Sequence, residues 1–113
     1  MPPPSQLAIA TSSLNRLVKE EASYHKELSQ QQASIAKLEQ GGGDENAEFM
    51  LRQERKAVEE TNNIFPQLNQ KIRDALSRLE QQLKQGEQSG SVEEVAKAKD
   101  AVLAGKRTLS QES

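Results

Sequence analysis

The sequence predicts an all-α protein: an antiparallel up-down-up three-helix bundle, coiled-coil-like, with a long second helix bent at Pro66. Three observations carry that expectation. Apolar residues fall in three series at alternating three-four spacing: Leu14, Leu17, Tyr24, Leu28, Ile35, Leu38; then Leu51, Val58, Phe65, Leu68, Ile72, Ala75, Leu79; then Val92, Val95, Val102, Leu109. Such spacing places each series on one narrow helix face. Glycine-rich segments, Gly41-Gly42-Gly43 and Gly86 to Gly90, separate the series and break helices through their backbone freedom. The chain is only 34% hydrophobic, so each stripe must be covered by another stripe or by a partner.

Residues 1–10 read as a flexible arm, because Pro2, Pro3 and Pro4 lack an N–H and hold φ fixed. Thr11, Ser12 and Ser13 are good N-caps, so helix 1 is expected over about 12–40. Asp44 is a natural N-cap, and Glu45 and Glu48 suit the positive end of the helix dipole, which opens helix 2 over about 44–85. Pro66 lies inside it at a cost of about 3 kcal/mol. The stripe nonetheless keeps its phase through Val58, Phe65, Leu68 and Ile72, which favours one bent helix over two. Ser91-Val92-Glu93-Glu94 has the capping-box pattern and starts helix 3, about 91–109, with Gly105 weakening its end. The bundle then occupies 11–110, leaving 111–113 as a tail. Short linkers make successive helices antiparallel neighbours. Pairs four apart, Glu48–Arg52, Arg55–Glu59, Lys56–Glu60, Asp74–Arg78, Glu80–Lys84 and Glu93–Lys97, each add about 0.2–0.5 kcal/mol to a helix.

The chain has 113 residues, 34% hydrophobic and 3% aromatic, enough for one domain with a thin aliphatic core. No stretch approaches the roughly 20 apolar residues of a membrane span, and the N-terminus lacks the regions of a secretory signal. There are no cysteines, hence no disulfide, thiolate metal site or cysteine nucleophile. Charged residues make up 28% at a net charge of −2, with signs interleaved. Without a basic block or clustered aromatics, nucleic-acid binding is disfavoured. These traits suit an intracellular protein.

No catalytic constellation is visible. His25, the single histidine, has no companion ligand and reads as a residue at the edge of a helix interface. Glu20-Glu21 and Glu59-Glu60 are neighbours that point about 100° apart on a helix, so they do not converge as an acid and a base. The triple glycine lacks the strand and the Lys-Ser/Thr of a phosphate loop. No metal or cofactor is expected. Glu21 and Gln31 fall on the first stripe itself, where polar side chains weaken a bundle but specify register.

Particular residues carry a resemblance. Arg16-Leu17-Val18-Lys19-Glu20, then Tyr24, Lys26-Glu27, Gln31-Gln32 and Ile35, resemble helix 1 of the tubulin-binding cofactor A family. Glu60-Thr61, Ile64, Pro66, Ala75, Leu79 and Leu83 resemble that family's long second helix with its internal proline. The likeness covers about residues 11–85 and is weak over helix 3. The proline-rich arm and the triple glycine depart from the animal members.

The resemblance implies a non-enzymatic, cytoplasmic, cytoskeleton-associated protein that binds and holds β-tubulin after its release from the cytosolic chaperonin, on the route to α/β-tubulin heterodimers. Other tubulin-folding cofactors are further implied partners; membranes and nucleic acid are not. A monomer or a homodimer fits. Charged residues of helices 1 and 2 are the candidate contact surface: Arg16, Lys19, Glu20 and Lys26, with Arg55, Glu59 and Glu60. The alternative is a coiled-coil oligomerisation or scaffold module, which the polar seam positions favour.

Overall fold

The computed structural model describes residues 4–41, 45–86 and 91–111. Among them are three α-helices and no strand: α1 (Gln6–Gln40), α2 (Glu45–Gly86) and α3 (Val92–Ser110). The expected turn at Gly42-Gly43, the cap at Asp44, the break over 87–90, and Pro2, Pro3 and the last two residues lie outside the described residues.

The first helix begins earlier than the sequence predicts. Ser5, not the Thr11–Ser13 group, caps it: the Ala8 N–H donates to Ser5 Oγ at 3.0 Å. The reason is burial. Extending the helix to Gln6 puts Leu7 and Ala10 in phase with Leu14, and all three enter the core. Residues 6–10 are therefore helix and not an arm. Thr11, freed from capping, donates its hydroxyl to the Leu7 carbonyl at 2.8 Å within the helix. The second helix runs unbroken through Pro66, as the shared phase of its stripe predicts.

The chain divides into two compact units, Met1–Glu20 with Leu68–Ser113, and Glu21–Gln67. The first unit holds the apolar core. Its buried apolar residues are Leu7, Ala10 and Leu14 of α1, Leu68, Ile72, Leu76 and Leu79 of α2, and Ala98 and Ala101 of α3. Leu14, Ile72 and Leu79 are fully buried. The expected valine stripe of α3 is not its buried face. Val92 is 89% exposed, and Val95, Val102 and Leu109 are half-buried. The buried line is Ala98, Ala101 and Gly105.

Small residues let the α3 backbone approach closely. A Cβ on Gly105 would lie 3.2 and 3.3 Å from the two δ-carbons of Leu14 and 3.5 Å from Leu76 Cδ1. Gly105 is a packing requirement, and α3 continues past it to Ser110. At the other end of α3 the capping box forms: the Glu94 N–H donates to Ser91 Oγ at 3.0 Å, and the Ser91 N–H faces Glu94 Oε1 at 3.5 Å. The other oxygen of Glu94 accepts from Ser5 Oγ at 2.6 Å. The two caps thus share one carboxylate. Ser5 beside Glu94 and Leu14 beside Gly105 show α1 and α3 running the same way in this unit.

The second unit is an antiparallel helix pair. Glu39 meets Arg55, Gln31 meets Thr61 and His25 meets Phe65, so sequence rises along α1 as it falls along α2. Its stripe residues Tyr24, Leu28, Ile35, Leu38, Leu51, Val58 and Phe65 are only half-buried, because two helices cover each other along one side each. The buried side chains here are polar: Glu21 and Thr61. Thr61 Oγ1 donates to Gln31 Oε1 at 3.0 Å, which gives the polar seam position Gln31 its partner. Glu21, 7% exposed, faces His25 Nε2 at 3.1 Å.

Candidate functional site

All seven candidate residues lie on exposed helix surface. In the first unit, Arg16 and Glu20 sit one turn apart on α1 and line one shallow groove, while Lys19 lies outside its lining. In the second unit, Arg55 Nη2 reaches Glu39 Oε1 at 3.3 Å. That replaces the expected Arg55–Glu59 pair. With both side chains more than half exposed, solvent screens this bridge and leaves it little net stabilisation. Lys26, Glu59 and Glu60 are exposed, and their side chains have no hydrogen bond or ion pair to a described residue. Four other expected pairings also give way; among the described residues Glu48–Arg52 and Lys56–Glu60 do not form. Asp74 Oδ1 accepts from Gln70 Nε2 at 3.0 Å instead of bridging to Arg78, and Glu80 faces Lys106 at 3.7 Å instead of Lys84. Glu93–Lys97 forms at 3.3 Å. Other partners, on another helix for Arg55 and Glu80 and on the same helix for Asp74, compete well here because these pairs are exposed and individually weak.

The groove beside Arg16 is built from two helix faces. Ser13, Arg16, Leu17 and Glu20 of α1 form one wall. Lys71, Asp74, Ala75 and Arg78 of α2 form the other, around about 460 Å³ of open space. Each wall repeats positions i, i+3, i+4 and i+7, one helix face. Sequence reasoning recognised Asp74 and Arg78 only as a helix-surface pair and passed over Lys71. The signal available was that 71, 74 and 78 flank the stripe residues 72, 75 and 79.

His25 sits at the interface edge, as its sequence position predicts. Its ring stacks on Phe65, with centroids 4.4 Å apart and planes inclined by 24°. Among the described residues, the one titration displaced from its ordinary value is that of Glu94, whose carboxyl the Ser5 hydroxyl bond holds down, aided by the Ser91 backbone. Among the described residues no group of three or more His, Cys, Asp or Glu is placed to hold a metal ion, and no helix is long and apolar enough to cross a membrane.

The fold is an all-α helical bundle with charged, solvent-facing helix sides. The chain belongs to the tubulin binding cofactor A family, whose model matches residues 2–102. It is 34% identical over 107 residues to tubulin-specific chaperone A of Saccharomyces cerevisiae, covering 94% of this chain and 95% of the yeast protein. The crystal structure of tubulin folding cofactor A from Arabidopsis thaliana is similar at a TM-score of 0.78 and 28% identity, over 89% of this chain and 92% of that one. The family is one of tubulin-folding cofactors and chaperones.

Proposed function

We propose that this protein binds and holds β-tubulin without catalysing a reaction, receiving it after release from the cytosolic chaperonin on the route to α/β-tubulin heterodimers. The cytoplasm, in association with the cytoskeleton, is where it would act, as a monomer or homodimer and with other tubulin-folding cofactors as further partners. The observation that carries this reading is membership of the cofactor A family over residues 2–102 joined to a surface of exposed mixed charge.

A protein that holds a folding intermediate needs a wettable face that recognises its client without sealing it in. Interleaved charge supplies orientation and rapid encounter more than raw affinity. Arg16, Lys19, Glu20, Lys26, Arg55, Glu59 and Glu60 are the proposed contacts. All seven are exposed, and only Arg55 has an ion-pair partner among the described residues.

The test is co-purification of β-tubulin with the tagged chain from a cell extract, followed by sedimentation of the complex. A soluble complex that weakens when Arg16, Lys19 and Lys26 are changed together to Glu supports the proposal. Failure of the unaltered chain to retain tubulin refutes it. One observation favours the scaffold alternative. Phe49 and Met50, adjacent on α2, are 52% and 46% exposed, and large exposed side chains of this kind suit self-association. Sedimentation as a higher oligomer indifferent to tubulin would select that reading.

A further inference from the structure

We infer that the groove between the first part of α1 and the last part of α2 is a docking site for an acidic segment of a protein partner. The inference rests on the proposed role of this surface in binding a client, and it adds the chemistry that one part of the surface recognises.

Charge is the first argument. Three cations line the groove: Arg16 from one wall, Lys71 and Arg78 from the other. None of the three side chains makes a hydrogen bond or ion pair with a described residue. Two acids, Glu20 and Asp74, share the groove, but Asp74 is already engaged by the Gln70 amide at 3.0 Å. Gln70 is neutral, so Asp74 keeps its charge, and the groove carries three cations against two acids, a surplus of positive charge in a chain whose net charge is −2.

Shape is the second argument. Leu17 and Ala75 are half-buried between these walls. A segment lying along the groove would place an apolar side chain or its own backbone on them and its carboxylates against the three cations. Arginine offers a planar fork that matches a carboxylate, and lysine a point charge. Nucleic acid fits less well. No aromatic side chain lines the groove to stack a base, and two carboxylates among three cations oppose a phosphate backbone.

The experiment is a heteronuclear NMR titration of the full chain with a hexaglutamate peptide, with hexalysine and an oligothymidylate of equal length as comparisons. Amide shifts are expected to cluster at 13–20 and 71–78 with hexaglutamate and to be absent there with hexalysine. The double variant Lys71→Glu/Arg78→Glu, with unchanged helical dichroism, should weaken peptide binding about tenfold or more, since two attractions become repulsions. The neutral pair Lys71→Gln/Arg78→Gln should fall between. Shifts scattered over basic positions elsewhere, such as Arg55 and Lys106, overturn the inference. So does tighter binding of the oligothymidylate at the same groove. The tubulin reading fails separately: if the unaltered chain retains no β-tubulin yet hexaglutamate still shifts the groove, the docking site stands and that client does not. If tubulin is retained and hexaglutamate shifts nothing, the reverse holds.

Discussion

Gly105 is the position where two opposed effects can be separated by measurement. Replacing glycine by alanine inside a helix favours the helix by about 1 kcal/mol. Here the new methyl group would stand 3.2 and 3.3 Å from the δ-carbons of Leu14, closer than comfortable contact. Leu14 is fully buried and has no open space to turn into, and overpacking of this kind costs about 1–3 kcal/mol. Gly105→Ala alone should therefore be neutral or destabilising by up to about 2 kcal/mol. Leu14→Ala alone leaves a cavity and should cost about 2–5 kcal/mol. In that background the obstructing carbons are gone, the Leu76 contact at 3.5 Å is ordinary, and Gly105→Ala should stabilise by about 1 kcal/mol or more. The assay is a double-mutant cycle by urea unfolding, followed by far-ultraviolet circular dichroism. A coupling of about 1–3 kcal/mol is expected. If Gly105→Ala gives the same change in both backgrounds, the close approach of α3 to Leu14 is not the reason for the glycine.

Four further outcomes are expected. Pro66→Ala restores a backbone donor inside a continuous helix and should keep or raise ellipticity while raising stability by up to about 3 kcal/mol; a large loss of ellipticity would contradict the single-helix reading. Thr61→Val leaves the half-buried Gln31 carbonyl oxygen without its 3.0 Å donor and should cost about 1–3 kcal/mol in thermal unfolding, so an unchanged melting temperature tells against that bond. Asn69 is buried, and its Oδ1 has no partner among the described residues; Asn69→Leu should stabilise by about 1–3 kcal/mol in urea, and destabilisation would mean the amide is satisfied. Glu94 titrates below its ordinary value of 4.5, chiefly because Ser5 donates to it. Its folded form favours the carboxylate, so its contribution is complete above that ordinary value and is lost as pH falls through the lowered one. Acid titrations of stability should therefore flatten in Glu94→Gln and in Ser5→Ala; acid limbs parallel to the unaltered protein would rule out the clasp.

How far the sequence could be read depends on how local each determinant is. The capping box at Ser91 and Glu94 is read from residues three apart, and it forms. The continuity of α2 follows from a stripe that holds its phase across Pro66. The start of α1 is harder. Four candidate caps lie between Ser5 and Ser13, and burial of Leu7 and Ala10 against other helices decides among them. The same holds for the ion pairs. Arg55 has an intrahelical acid one turn away, yet the structure gives it Glu39, 16 residues distant, because exposed pairs differ by too little for sequence spacing to rank them. Of the candidate surface, Arg16 and Glu20 are legible as helix-face neighbours. Their company with Lys71, Asp74 and Arg78 depends on how two helices meet.

By itself the sequence determined that the chain is helical and that nearly all its charge stays outside, Glu21 excepted, since these follow from periodicity and the cost of burying ions. Tertiary packing alone decided which face of α3 is inside. Valine and alanine-glycine series run side by side along that helix, and hydrophobicity favours the valines. The smaller line wins because only it lets the α3 backbone come within contact of Leu14 and Leu76, and close packing, more than the apolarity of any single residue, sets which surface is buried.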